Sequence, residues 1–174
     1  MPPTTLLAIS ALLATAIAQS NFFSITNWQS IELHDDLNCH NLSFTVSTPK
    51  GVPSSGGNDP YDCLIEWTGS NPPACYTQCH ASGGLSTFWT RVVPDTYNSI
   101  GYFDLDVVRY HSYRNQERNN LTVAVNGAEF PGLVCTQGGD WTACALEGVD
   151  GYNASYSSVY NGEVYVGYEP DDKC

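Results

Sequence analysis

The sequence predicts an all-β protein, a single disulfide-stapled antiparallel β-barrel or sandwich. Three observations point there. Apolar and polar residues alternate with period two along several short runs, breaker-rich stretches separate those runs, and no window after the first twenty residues carries a helical apolar stripe.

The chain opens MPPTTLLAISALLATAIAQS. Its apolar run, Leu6 to Ala18, ends in Ala16-Ile17-Ala18, the small-x-small pattern that signal peptidase accepts. The run is shorter than the roughly 20 residues that span a bilayer. The expectation is a secretory signal over residues 1–18, cleaved before Gln19, and one β domain over residues 19–174 in a secreted, extracellular protein.

The strand runs follow in order. Leu42, Phe44 and Val46 alternate with Asn41, Ser43 and Thr45. Cys63, Ile65 and Trp67 share one face, as do Phe103, Leu105 and Val107, then Leu121, Val123 and Val125, and last Val164, Val166 and Tyr168. Asn126-Gly127 and Asn161-Gly162 read as hairpin turns. Residues 49–60 and 148–157 read as long loops, the later part of the second being able to pair with the last strand.

All seven cysteines lie after the signal: Cys39, Cys63, Cys75, Cys79, Cys135, Cys144 and Cys174. An exported chain meets an oxidising compartment, so disulfides are the default. Cys75, Cys79 and His80 could be read as metal ligands, but a closed zinc site takes four ligands, commonly from two close pairs. The nine-residue spacing of Cys135 and Cys144 does not supply the second pair. No metal and no cofactor are expected.

The formal net charge is −12, with only six Lys and Arg. This argues against nucleic acid or an anionic membrane as partner, since both demand positive charge. Sequons at Asn41, Asn120 and Asn153 are candidate glycosylation sites. Asn41 and Asn120 fall on the polar parity of their strands, as a glycan requires.

No nucleophile elbow, zinc-protease helix or phosphate loop is present. His34, His40, His80 and His111 show no spacing that singles out a triad, and Asp104 with Asp106 reads as a solvated pair. The segment from Arg109 to Arg118 holds three of the four arginines. Arg109, Tyr110, Tyr113, Arg114 and Arg118 are therefore candidate partner-binding residues, by the preference of Arg and Tyr for binding hot spots. The plainer reading is an exposed hairpin end. Trp67 and Trp89 fit core positions, whereas Tyr152, Tyr156 and Tyr160 are candidates for an exposed sugar-stacking platform.

The order of elements resembles the major Alternaria allergen-like family of fungal secreted proteins. The resemblance rests on an opening strand at Phe22–Trp28, on Cys63 within Asp62-Cys-Leu-Ile-Glu-Trp67, and on a second cysteine before Ser86-Thr-Phe-Trp-Thr-Arg-Val92. Cys135 and Cys144 then precede a final Glu163-Val-Tyr-Val-Gly-Tyr168. It implies a small, often dimeric β-barrel without established catalysis, secreted by fungi and acting as an allergen or as an effector that engages plant defence proteins. It also implies disulfides Cys63–Cys79 and Cys135–Cys144, and makes Cys39 the rough counterpart of the family's inter-chain cysteine. Of the three cysteines left, loop closure grows only logarithmically with length, so proximity favours Cys39–Cys75, with Cys174 free or bridging two chains. The extra cysteines, the 49–60 loop and the Arg-bearing segment depart from the family pattern.

The functional expectation is a secreted non-enzymatic protein that binds a host extracellular protein, with a homodimer admitted. The alternatives are a glycan-binding module and a small cell-wall hydrolase.

Overall fold

The computed structural model describes residues 22–48, 60–80, 88–110, 117–160 and 170–174. Among them there are eleven strands and no helix. In chain order these are β1 (Phe22–Leu33), β2 (Cys39–Ser47), β3 (Tyr61–Thr68), β4 (Thr77–Gln78), β5 (Phe88–Val92), β6 (Phe103–Tyr110), β7 (Glu117–Val125), β8 (Leu133–Gln137), β9 (Trp141–Leu146), β10 (Tyr152–Ser155) and β11 (Ser157–Tyr160). The expected signal segment, the 49–59 stretch, Asn161-Gly162 and the run Val164–Tyr168 lie outside the described residues.

The strands form two antiparallel sheets. One has the order β3-β2-β1-β9-β8, with β10 also paired to the first half of β1; the other has the order β11-β7-β6-β5-β4. Period-two alternation explains most of this. Tyr61, Cys63, Ile65 and Trp67 of β3 are buried, and the residues between them are exposed. Phe103, Leu105 and Val107 of β6 and Leu121, Val123 and Val125 of β7 are likewise buried. These rows join Phe23, Ile25 and Trp28 of β1 in one apolar cluster fed by both sheets. The Trp28 ring lies 5.0 Å from Phe130 and 5.5 Å from Phe44. Each such aromatic pair contributes about 0.5–1.5 kcal/mol beyond its buried area.

Two connections differ from the sequence reading. Asn126-Gly127 does not close a hairpin. The Asn126 Oδ1 accepts from the amides of Ala128 and Glu129 at 3.0 and 2.9 Å, which starts a turn that carries the chain from β7 in one sheet to β8 in the other. Residues 152–155 and 157–160, expected in or beside a loop, form β10 and β11, which belong to different sheets. The chain changes sheet at Tyr156, whose ring packs 4.5 Å from Phe23.

Three disulfides are present. Cys63–Cys79 joins β3, the edge of the first sheet, to the residue just after β4, the edge of the second. Cys135 and Cys144 are bonded directly across the β8–β9 pair. The third corrects the expected Cys39–Cys75 bridge: Cys75 is bonded to Cys174, and Cys39 is a free thiol. The physical reason is where the C-terminus goes. It lies beside Tyr76, whose amide donates to the Asp172 carbonyl at 2.8 Å and whose carbonyl accepts from the Cys174 amide at 2.9 Å. Cys39 instead sits opposite Thr68 in the first sheet, with a different set of neighbours.

Candidate binding face on the first sheet

Strand β1 changes parity part-way. Its register with β2 shifts between Thr26 and Gln29, and Asn27 there takes a positive φ of 52°. Asn tolerates this left-handed geometry better than most residues. The extra residue is a β-bulge, and one residue of slip exchanges the two faces of all that follows. Phe23 and Ile25 face the core before the bulge, while Trp28 and Ser30 face it afterwards.

The consequence is an inverted strand end. Ser30 is turned inward, where its hydroxyl donates to the Ile100 carbonyl at 3.3 Å. Ile31 and Leu33 are turned out and exposed. They lie opposite Ala143 and Trp141 of β9, and Gln29 lies opposite Ala145, which in turn faces Val134 of β8. Val134 and Trp141 are also exposed. A groove of about 430 Å³ runs over this face, lined by Gln29, Ile31, Asn41, Val134, Trp141 and Glu147 among others. Pockets of this kind, apolar with a few polar groups, are the usual form of a binding site.

The Trp141 indole is held in place from below. A Cβ added at Gly138 would sit 2.5 Å from the indole ring, so only glycine lets the ring lie against this turn. The Gly138 amide also donates to the Trp141 carbonyl at 2.8 Å. A preorganised, half-exposed tryptophan beside exposed aliphatic residues has the composition of an interface hot spot.

The polar counterpart of the inversion is buried. His40 lies opposite Glu32 on one side and Trp67 on the other. Its Nε2 is 3.3 Å from the Glu32 carboxylate, and its ring stacks on Trp67 with centroids 4.6 Å apart. Tyr97 meets both rings edge-on. Burial, then the Glu32 charge, hold the Tyr97 phenol well above the usual tyrosine range. No group of three or more metal-ligating side chains occurs among the described residues.

The outer face of the second sheet is closed instead. Tyr76, Trp89, Val108 and Tyr110 form a small buried cluster there. Arg91 donates through Nε to Asp106 at 3.2 Å and through Nη1 to Asp172 at 2.6 Å, and it lies 4.2 Å over the Tyr76 ring. Asp106 also accepts from Tyr76 and Thr122. It is thus a structural hub, and Asp104 and Asp106, expected as a solvated pair, are both half-buried.

The arginine-bearing segment is not one surface. Arg109 is 2% exposed, turned inward and 5.2 Å over the Phe88 ring, because it shares the inward parity of Val107. Tyr110 is buried in the outer cluster, and Arg118 lies over its ring while donating to Asn120. Tyr113, Arg114 and His111 lie outside the described residues. Neither are the tyrosines the expected platform: Tyr152 packs 4.5 Å from Phe130 and Tyr156 on Phe23, whereas the Tyr160 side chain is not described. Of the sequons, Asn41 and Asn120 are half-buried and Asn153 is exposed.

No family model, curated protein or solved structure matches the chain. Sequence reasoning missed Ile31, Leu33 and Trp141. The signal was present in the apolar spacing Phe23, Ile25, Trp28, which breaks period two at the bulge.

Proposed function

We propose that this chain is an exported β-sandwich protein that acts by contact with another protein rather than by catalysis, like the fungal secreted proteins whose strand and cysteine order it resembles. The N-terminal apolar segment and three disulfides support export. The single observation that supports contact is the inverted end of β1. It presents Ile31 and Leu33 beside Trp141 and Val134 and turns polar groups inward, an arrangement that local folding preferences disfavour. Exposed apolar surface of this kind marks interaction sites.

The partner this face fits is a basic extracellular protein with a flat apolar patch. The chain has net charge −12, and Glu66 and Glu147 lie exposed on the same sheet and its border; opposite charge on the partner steers association. A homodimer bridged through Cys39 belongs to the same reading. Pull-down from host extracellular fluid by the chain free of N-linked glycan tests it, with Trp141→Arg in the same glycan-free form as the paired bait. A basic protein retained by the unsubstituted chain and lost by the variant is expected. Equal retention by both sinks this surface as the site.

A second reading, a glycan-binding module, draws on Trp141 standing beside Gln29 and Glu147 in one groove. A glycan array tests it. The hydrolase alternative has less support, since it calls for two carboxylates about 5–10 Å apart in a cleft and Glu147 alone supplies one among the groove's lining residues.

A further inference from the structure

The groove contains its own attachment point for sugar. Asn41-Leu42-Ser43 is a sequon in the middle of β2. Leu42 faces the core, so Asn41 and Ser43 both face outward. Asn41 lies directly opposite Ile31 on one side and Glu66 on the other, and it lines the same groove as Trp141 and Val134. Its Nδ2 donates to the Glu66 Oε1 at 3.0 Å. The other two sequons are placed differently. Asn120 is on the second sheet with its carboxamide oxygen held by Arg118 at 2.8 Å, and Asn153 is on β10, outside the groove lining.

We propose that an N-linked glycan on Asn41 lies along this groove, its first sugars packed against Ile31 and Trp141, and that it closes the face to protein partners. The modification joins Asn41 Nδ2 to the anomeric carbon of a sugar supplied by a lipid pyrophosphate-linked oligosaccharide. The amide loses one proton and the lipid pyrophosphate leaves. The second N–H stays and keeps the bond to Glu66. An N-acetylated hexose has C–H-rich ring faces for Trp141 and Ile31, and hydroxyl and acetamide groups for Gln29, Thr136 and Glu147, so both kinds of lining group are used.

The seat of the glycan is independent of any partner; only its role as a gate rests on the docking reading above. Tryptophan fluorescence separates the two. Trp28, Trp67 and Trp89 are 2%, 8% and 5% exposed, whereas Trp141 is 39% exposed, so iodide quenching reads Trp141 almost alone. The full chain is secreted from a glycosylating host and its Asn41 occupancy read by peptide mass. Quenching is measured before and after enzymatic removal of the glycans, and in Asn41→Gln, Ser43→Ala and Asn120→Gln. The quenching constant rises on deglycosylation and in the first two variants, and it is unchanged in Asn120→Gln. The same quenching with and without the Asn41 glycan overturns the proposal, as does an Asn41 that is never modified. Quenching that follows protein dilution instead assigns the groove to a second copy and also overturns it. If deglycosylation uncovers Trp141 but the uncovered chain still retains no protein, the docking reading fails and the glycan seat stands.

Discussion

Cys75 and Cys174 are bonded across 99 residues of sequence, and the backbone of Tyr76 beside them holds the C-terminal residues as a short parallel bridge to Lys173. The last residues of the chain are therefore part of the outer layer on the second sheet. Arg91 reaches Asp172 in the same layer, and Pro170 is buried.

Cys174→Ser releases that layer. The chain-entropy model puts a bridge closing so long a loop at about 4.7 kcal/mol, the upper end of the roughly 2–5 kcal/mol that losing a native disulfide costs. Urea unfolding is expected to shift by that amount, and Cys39→Ser, which removes no bridge, to shift far less. Equal losses in the two variants count against the Cys75–Cys174 assignment.

Thiol labelling of the folded monomer gives a second check. Six of the seven cysteines are bonded, and Cys39 is half-buried on the first sheet. One label per chain, on a peptide containing Cys39, is expected. Label on Cys75 or Cys174 contradicts the structure, and a dimer that reduction separates moves Cys39 into an inter-chain bridge.

Gly101 lies against the Cys135–Cys144 bond. A Cβ there would fall 2.6 Å from the Cys135 sulfur and 3.0 Å from that of Cys144. Gly101→Ala is expected to cost about 1–3 kcal/mol, the usual scale of overpacking. Gly127→Ala, where the added carbon meets nothing, serves as the control; similar melting temperatures for the two argue against the close approach.

The inverted strand end predicts an asymmetry within β1. Ile25→Ala removes a fully buried side chain and should cost about 2–5 kcal/mol. Leu33→Ala, an equally apolar deletion eight residues on, should stay within about 0.5 kcal/mol, as surface changes do. Comparable losses at both sites mean that the bulge at Asn27 does not set the parity.

Tyr76 gives the fold an alkaline limit. Burial above all, helped by the Asp106 charge and opposed by Arg91, raises its phenol from 10.0 to about 12. The raised value favours the neutral form in the folded state. Its stabilisation is therefore complete below pH 10 and lost as pH climbs towards 12. Stability should fall through that window, and Tyr76→Phe should flatten the fall. An unchanged slope in the variant assigns the transition to another group.

Period-two runs such as Tyr61–Trp67 and Phe103–Val107 are local patterns, and a face that must be buried imposes them on the residues themselves; the all-β class was legible for that reason. The same holds for Trp67, which sits in such a run and is buried, whereas Trp89 is buried by the small outer cluster with Tyr76, Val108 and Tyr110. The cysteine order pointed to Cys63–Cys79 and Cys135–Cys144 through a family resemblance, and both are bonded. What only the tertiary structure decided depends on contacts between residues far apart in sequence. The partner of Cys75 was set by where a distant C-terminus docks, whereas the inward turn of Arg109 continues the parity of Phe103, Leu105 and Val107 and was legible in the sequence. The outward face of Ile31 and Leu33 needed one residue of slip at Asn27; the broken spacing Phe23, Ile25, Trp28 marks an irregularity there, but only the pairing with β2 shows that it is a bulge. The side chains there were chosen by a bulge, and a bulge is settled only when the neighbouring strand is in place.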